Sequence, residues 1–295
     1  MFRRCKYDFT VYFICRTRRQ AECGVKYMDH KQSIKLKSVR NARELGGYPS
    51  YDGKIVKSGV LLRTAKLDEM TSEDIQILKE HYRLGTIIDF RMAMEIANAD
   101  PMIGDAYYAH LDVIDTAVFS SQSAANIDIK KLTIFQLVRL AEMTGMLDEK
   151  MYIGFLTSDM GQKAYSQFFR ILLETSPDRA VLWHCTSGKD RTGLAAMLLL
   201  SALGVDEKVI MEDYLLTNEY NADKIESTKR FMLSNGLDDA YAEKAALVYD
   251  KVDERFMQTA LVYLKQTYGS VVGYIRDGLH ITQDEINQLK EKYLV

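Results

Sequence analysis

Two reactive side chains, Cys185 and Arg191, lie close together in a short polar segment between two apolar runs. The planar guanidinium of an arginine can bind two oxygens of one phosphate. A cysteine in a positive field favours its thiolate form, which is a nucleophile. Gly188, between them, lets the backbone curl so that successive N–H groups point inward. The segment therefore predicts an anion-binding loop with a nucleophile at its floor.

The two apolar runs position this loop. Residues 180–183 have the length of a buried strand, and residues 194–203 have the length of a buried helix. The loop then ends at a helix N-terminus, where unpaired N–H groups and the helix dipole favour anions. Cys185 would be the residue that follows the strand.

A second predicted strand, residues 86–91, carries Asp89 and Arg91 at its C-terminal end. It follows a helix that Thr71 would cap, and strand–helix–strand order is typical of a parallel α/β sheet. Ligands bind beyond the carboxyl ends of such strands. Asp89 and Arg91 are therefore expected on the same edge as Cys185. They would either contact substrate and support the loop, or form a plain salt bridge.

The sequence predicts an α/β protein with a central, mostly parallel sheet flanked by helices, since the chain after the loop is almost wholly helical. Residues 31–295 would form a single domain. Residues 1–30 contain basic residues around a short apolar run, which Asp8 precedes and no cleavage site follows. That run is too short to span a bilayer. A poorly ordered N-terminal extension is the preferred interpretation over a targeting signal.

Composition narrows the functional class. The 295 residues include 39 Lys and Arg and 41 Asp and Glu, giving a net charge of −2, which does not favour nucleic-acid or anionic-membrane binding. Three of the four cysteines lie within the first 23 residues. The sequence contains no Cys-x2-Cys pair, so it does not predict a zinc site. Without a disulfide framework in the main body, a reducing cytoplasm is the expected location, and export stays open.

The motifs resemble those of a known family. Cys185-x5-Arg191, preceded by His184 and followed by Thr192, resembles the signature of the cysteine-dependent protein tyrosine phosphatases. Residues 41–48 (Asn-Ala-Arg-Glu-Leu-Gly-Gly-Tyr), with the later Asp-Gly and Leu-Leu-Arg-Thr elements, resemble the bacterial tyrosine/serine phosphatase subgroup that includes mycobacterial protein tyrosine phosphatase B. Glu44 stands where that subgroup has Asp. The resemblance extends over residues 34–295.

The resemblance implies roles for individual residues. Cys185 would be the nucleophile that forms a cysteinyl-phosphate, and Thr192 would donate its hydroxyl to the departing sulfur. The phosphate would be bound by Arg191 together with the rest of the loop: Thr186, Ser187, Gly188 and Lys189. His184 would orient the loop. Many members of the superfamily take the general acid from a Trp-Pro-Asp element, but the single tryptophan, Trp183, is not followed by Pro-Asp. The resembled subgroup has its proposed acid inside the loop, which implies Asp190 here, with Asp89 as the alternative.

Phosphotyrosine proteins are the substrates that the resemblance implies, with phosphoserine and phosphothreonine as extensions. Lys189 adds a second cation to the loop, so phosphoinositide hydrolysis is an alternative. An inactive phosphate-binding module is a third interpretation, and a sulfurtransferase fits less well. The resemblance also implies a helical lid within about residues 215–255. No metal or organic cofactor is implied, and the sequence does not indicate an oligomeric state.

Overall fold

The computed structural model describes residues 32–96, 98–114 and 132–295, so the predicted extension of residues 1–30 lies outside the described residues. One sheet contains the strands in the order β1-β2-β5-β3-β4. Its strands are β1 (Arg43–Glu44), β2 (Leu61–Thr64), β3 (Leu84–Asp89), β4 (Tyr107–His110) and β5 (Ala180–His184). Only the β1–β2 pairing is antiparallel within this sheet. The predicted α/β class with a mostly parallel sheet is confirmed.

The strand register brings the carboxyl ends of the parallel strands to one edge. Thr64 on β2 and Asp89 on β3 are both opposite His184, the last residue of β5. His110, which ends β4, is opposite Asp89. The chain leaves β5 at this edge and enters the loop at Cys185, so the loop begins where four strands end.

Eleven α-helices occur in the described part of the chain: α1 (Ser72–Gln76), α2 (Ile134–Met143), α3 (Met151–Thr157), α4 (Asp159–Glu174), α5 (Asp190–Ala202), α6 (Glu207–Tyr220), α7 (Ala222–Ser234), α8 (Asp239–Tyr249), α9 (Glu254–Tyr268), α10 (Val271–Asp277) and α11 (Gln283–Tyr293). Helix α1 continues as a π-helical turn, Ile77–His81, and a 3-10 turn, Ala93–Glu95, follows β3. None of these helices combines the length and the apolar character needed to cross a bilayer.

Apolar clusters cover both faces of the sheet. Along β5, Val181 and Trp183 belong to the larger cluster, whereas Ala180 and Leu182 belong to the cluster on the opposite side. This alternation follows from the two-residue period of a strand. Helix α5 packs in the larger cluster and is buried over eleven of its thirteen residues. The loop is thus anchored at both ends in packed core.

Helices α7 and α8 form a hairpin that packs on α2 around a small apolar cluster of their own. Its fully buried members are Val138, Met232, Ala242 and Ala245. The predicted lid range of about 215–255 covers this hairpin together with the end of α6 and the start of α9. Opening of the hairpin stays a prediction. Residues 34–295 cluster into one compact unit.

Candidate active site

Cys185 is the first of five residues that link β5 to α5, and it is a free thiol that is 1 % exposed. The loop passes very close to the end of β2. Gly188 has φ of +67°, and a Cβ atom built on it would lie 2.3 Å from the carbonyl oxygen of Thr64. A side chain would therefore meet both backbone strain and a collision. Glycine at this position is what lets the loop curl against the sheet.

Side chains on the sheet side of the loop donate hydrogen bonds to its carbonyl oxygens. The amide of Asn41 donates to the carbonyl oxygens of Ser187 at 3.2 Å and Gly188 at 2.9 Å. Arg63 Nη2 donates to the same Gly188 oxygen at 3.0 Å. In a planar trans peptide the C=O and N–H groups point in opposite directions. Carbonyls held outward therefore turn the following N–H groups toward the centre of the loop, where an anion can bind.

A buried ion cluster supports these donors. Asp213 on α6 accepts from Arg43 Nε at 2.9 Å, from Arg63 Nη1 at 2.5 Å and from the Tyr48 hydroxyl at 3.1 Å. Burial alone would raise the pKa of Asp213, but Arg43 and Arg63 together hold it below its usual range. Burial, with the charge of Arg43 adding to it, lowers the pKa of Arg63 to about 10. The guanidinium groups of Arg43 and Arg63 therefore share the carboxylate of Asp213 on the sheet side of the loop.

Arg191, in the first turn of α5, is paired with Glu95. Its Nη1 lies 2.5 Å from Glu95 Oε2 and its Nη2 lies 2.8 Å from Glu95 Oε1, which is a bidentate end-on contact. Nη1 also donates to the Phe90 carbonyl at 3.1 Å. Burial favours the neutral form of Glu95, but the charge of Arg191 outweighs it, so the pKa of Glu95 is lowered. The pair is ionised at neutral pH.

Asp89 and Arg91 are fully buried and bind each other. Arg91 donates to both carboxylate oxygens of Asp89 at 2.7–3.0 Å, and its Nη2 also reaches Asp100 at 2.9 Å. His184 Nε2 lies 2.9 Å from Asp100 Oδ2. This geometry favours the salt-bridge interpretation of Asp89 and Arg91 over substrate contact. It does not favour a metal site, because Arg91 already binds the two carboxylates that lie beside His184.

Asp190 begins α5 and is bound by a tyrosine pair. The Tyr152 hydroxyl donates to Asp190 Oδ1 at 2.6 Å and lies 2.9 Å from the Tyr214 hydroxyl. Lys189 Nζ lies 3.5 Å from Asp190 Oδ2. Burial raises the pKa of Tyr152 well above its usual value, with the charge of Asp190 adding to it, so Tyr152 remains a hydrogen-bond donor. Asp190 is therefore held by contacts to both of its carboxylate oxygens.

The C-terminal end of α8 covers the outer side of the loop. Lys189 Nζ donates to the carbonyl oxygens of Leu247 and Lys251, the latter at 3.1 Å. The Ser187 hydroxyl donates to the Tyr249 carbonyl at 2.6 Å. The ammonium group is thus bound where the helix dipole is negative. Lys189, predicted as a substrate-binding cation, is occupied by this helix end.

Two loop hydroxyls differ in their contacts. Thr186 donates to Glu95 Oε1 at 2.7 Å, so its side chain belongs to the same ion pair as Arg191. The Thr192 hydroxyl is buried and has no hydrogen-bond partner among the described residues. An unpartnered buried hydroxyl is uncommon and calls for an explanation. A hydroxyl in that condition is free to donate to a group that changes its charge during a reaction.

A narrow cavity of about 40 Å³ opens beside the loop on the Asp190 side. Its polar lining includes Lys189, Asp190, Lys251 and Asp253, and its apolar lining includes Met146 and Phe256. A cavity of this size holds a few waters. The loop is therefore covered in this conformation, with Cys185 and Arg191 both buried.

Sequence reasoning did not find several of the residues that bind the loop: Asn41, Arg63, Glu95, Tyr152 and Asp213. Asn41 and Arg63 fall within the quoted motifs, but their types alone did not indicate contact with the loop.

Asp112, which follows β4, was also missed. Its Oδ1 is buried without a partner among the described residues, and burial raises its pKa. A carboxyl group whose pKa is raised by burial is a candidate acid.

Residues 34–295 match the model of the tyrosine phosphatase family. A Cupriavidus necator relative, named provisionally as a tyrosine-protein phosphatase, is 26 % identical over 264 residues, covering 90 % of this chain and 89 % of the relative. The triple specificity protein phosphatase PtpB of Mycobacterium tuberculosis is 27 % identical over 261 residues, covering 80 % and 91 %. The solved structure of P. aeruginosa TpbA overlaps 65 % of this chain and 89 % of its own, with 14 % identity and a TM-score of 0.27, which is too low to bear on the fold.

Proposed function

Because this chain belongs to the tyrosine phosphatase family and is a phosphoric monoester hydrolase of that type, we propose that it hydrolyses phosphotyrosine in proteins through a cysteinyl-phosphate intermediate. One observation carries the proposal. Cys185 lies at the start of a loop whose carbonyls are held outward, and the guanidinium of Arg191 follows in the first turn of the next helix. A nucleophile and an anion site are thereby combined.

In the first step the thiolate of Cys185 attacks phosphorus and forms an S–P bond. The bond between phosphorus and the tyrosine oxygen breaks, and that oxygen receives a proton from Asp190. Arg191 and the inward loop N–H groups bind the three equatorial oxygens while charge redistributes over them. Their preorganisation is the main catalytic contribution of this geometry.

In the second step water attacks the phosphorus of the intermediate. The S–P bond breaks, inorganic phosphate leaves and the thiolate of Cys185 is restored. The Thr192 hydroxyl, which has no partner among the described residues, donates to the sulfur as negative charge returns to it. Asp190, ionised by the first step, accepts the proton of the attacking water. The enzyme returns to its starting protonation state.

Asp190 is held by Lys189 Nζ and the Tyr152 hydroxyl, which contact its two carboxylate oxygens. In the first step it gives its proton to the leaving oxygen, and in the second step its carboxylate receives a proton from water. Asp89 is a poorer candidate, because it is fully buried against Arg91.

Proteins carrying phosphotyrosine are the proposed substrates, with phosphoserine and phosphothreonine included. The relative from Mycobacterium tuberculosis is named for triple specificity, and this supports a broad range. Phosphoinositide hydrolysis is the alternative. It would need Lys189 to exchange its hydrogen bonds with the Leu247 and Lys251 carbonyls for a second phosphate. The proposed compartment is the cytoplasm, where a reducing environment keeps Cys185 as a thiol.

We also assign the lid to the hairpin of α7 and α8. Ser187 and Lys189 of the loop donate to the Tyr249 and Leu247 carbonyls of α8, and Lys189 also donates to the carbonyl of Lys251, two residues beyond α8. The apolar cluster of the hairpin is small and separate from the main core. A segment with few buried contacts opens locally at a lower free energy than the core does. Opening of this hairpin would uncover Cys185.

The test is hydrolysis of p-nitrophenyl phosphate and of a phosphotyrosine peptide, with chelator present. We expect turnover by the wild type and none by Cys185→Ser. Trapping with labelled phosphopeptide, followed by acid quenching, should leave phosphate bound to Cys185 in the wild type. If the wild type hydrolyses only phosphoinositides, the lipid alternative is correct. If it binds phosphate but hydrolyses none of the three, the chain is a phosphate-binding module.

A further inference from the structure

We propose that Glu95 positions Arg191 for phosphate transfer, a role that rests on the proposed function. The end-on pair with Glu95 fixes the guanidinium so that its other edge, Nε and Nη2, is presented to the substrate. Glu95 itself does not touch the reacting atoms. It lies outside every motif that the sequence indicated, in the 3-10 turn that follows β3.

The donor inventory of Arg191 supports this assignment. A guanidinium has five N–H groups. Nη1 uses both of its protons, toward Glu95 and the Phe90 carbonyl, and Nη2 uses one toward Glu95. The Nε proton and the second Nη2 proton have no partner among the described residues. These two lie on one edge of the plane, and that edge matches two phosphate oxygens.

Glu95 is itself firmly held. Its Oε1 accepts from Arg191 and from the Thr186 hydroxyl, and its Oε2 accepts from Arg191 and from the backbone N–H of Met92 at 2.8 Å. Four donors satisfy the carboxylate, and its side chain is 15 % exposed. Because Met92 lies just beyond β3, the position of the guanidinium is set by the sheet. Rigid support of this kind is what positioning requires.

An alternative explanation is that Glu95 occupies the phosphate site and must be displaced. The hydrogen bonds that Glu95 accepts argue against this explanation. A phosphate mimic would accept from the inward backbone N–H groups of the loop, yet no backbone N–H of residues 185–190 donates to Glu95; its backbone donor in the described chain is Met92. The loop contributes only the Thr186 hydroxyl and the Arg191 side chain.

The experiment compares Glu95→Gln, Arg191→Lys and the double variant, with Glu174→Gln as a matched control on an exposed glutamate. In Glu95→Gln we expect kcat to fall roughly 10- to 100-fold, while the inhibition constant of inorganic phosphate changes much less. In the Arg191→Lys background the same change should have little further effect, because the role acts through Arg191. An increase in kcat/KM, or an equal loss in both backgrounds, would overturn the proposal.

A second readout does not depend on turnover. The Nε–H resonance of Arg191, followed by nitrogen-edited NMR, should shift when inorganic phosphate binds to the wild type. In Glu95→Asp, which keeps the charge but retracts the carboxylate, the shift should be smaller or broadened. An unshifted resonance in the wild type would refute the proposed edge. Absence of wild-type hydrolysis with an intact resonance shift would instead refute the proposed function and leave the positioning in place.

Discussion

Asp213→Asn gives a direct test of the charge arrangement behind the loop. Asp213 is 2 % exposed and lies between Arg43 and Arg63, which are both 0 % exposed. Asn has nearly the same volume, so the substitution removes charge without opening a cavity. It leaves two buried guanidinium groups facing each other without a counter-ion, and the Asn amide adds donors where acceptors are needed.

The magnitude follows from what is left unpaired. Removing one partner of a buried ion pair costs roughly 3–5 kcal/mol, which is a large part of the about 5–15 kcal/mol that stabilises an ordinary domain. We expect the free energy of unfolding to fall by that amount at pH 7. Arg63 would also lose its fixed position at the Gly188 carbonyl, so kcat should fall as well.

Urea denaturation provides the assay, followed by the fluorescence of the single tryptophan, Trp183, which is fully buried. The control is Asp277→Asn, an exposed residue at the end of α10, and its midpoint should match the wild type. A loss of less than about 1 kcal/mol in Asp213→Asn would refute the reasoning, since it would place the pair in the range of surface salt bridges.

The pH dependence adds a second check with a definite sign. The pKa of Asp213 is lower in the folded than in the unfolded protein, because Arg43 and Arg63 outweigh burial. Its contribution is therefore fully present above the unfolded value, about 3.9, and is lost as pH falls through the folded pKa. The difference between wild type and Asp213→Asn should be constant between pH 5 and about 7 and should shrink below about pH 4.

Three further predictions concern the loop and its cover. Gly188→Ala should lower kcat/KM by at least about 100-fold, whereas Gly269→Ala, equally left-handed but with open space around it, should leave hydrolysis of p-nitrophenyl phosphate unchanged. Amide hydrogens of α7 and α8 should exchange faster than those of α5, and equal protection would contradict the lid assignment. Asp190→Asn should lower kcat by about 10²- to 10⁴-fold and Asp112→Asn much less; the reverse order would move the acid to Asp112.

The strand, the loop and the following helix could be predicted because their signals are local. The length of each apolar run sets the type of element, and a glycine between them allows the curl. The parallel sheet follows from the order of elements. The carboxyl end of β3 was correctly expected beside Cys185, since parallel strands that share a sheet end at the same edge.

The partners of the charged residues could not be predicted, because they depend on which distant side chain fills a given space. For Arg91 the sequence left two interpretations open, substrate contact with loop support or a plain salt bridge, and Arg91 is fully buried between Asp89 and Asp100. Residues two apart in an extended segment share a side, so pairing with Asp89 was within reach of the sequence. The sequence did not indicate whether that side of the segment faces substrate or the core, since this depends on burial against neighbouring strands.

The loop is bound from three directions, and these differ in strength. Asn41 and Arg63 bind its carbonyls from the sheet, and Glu95 binds Arg191 from the end of β3; all of these contacts are anchored in the core. The contacts on the side of α8 are two hydrogen bonds to α8 carbonyls and one to the carbonyl of Lys251 just beyond it, and the α7–α8 hairpin has its own small apolar cluster. Breaking these three costs roughly 2–5 kcal/mol in all. Opening would then populate a minor state of roughly 0.03–4 %, and the loop would keep its binding geometry while substrate enters.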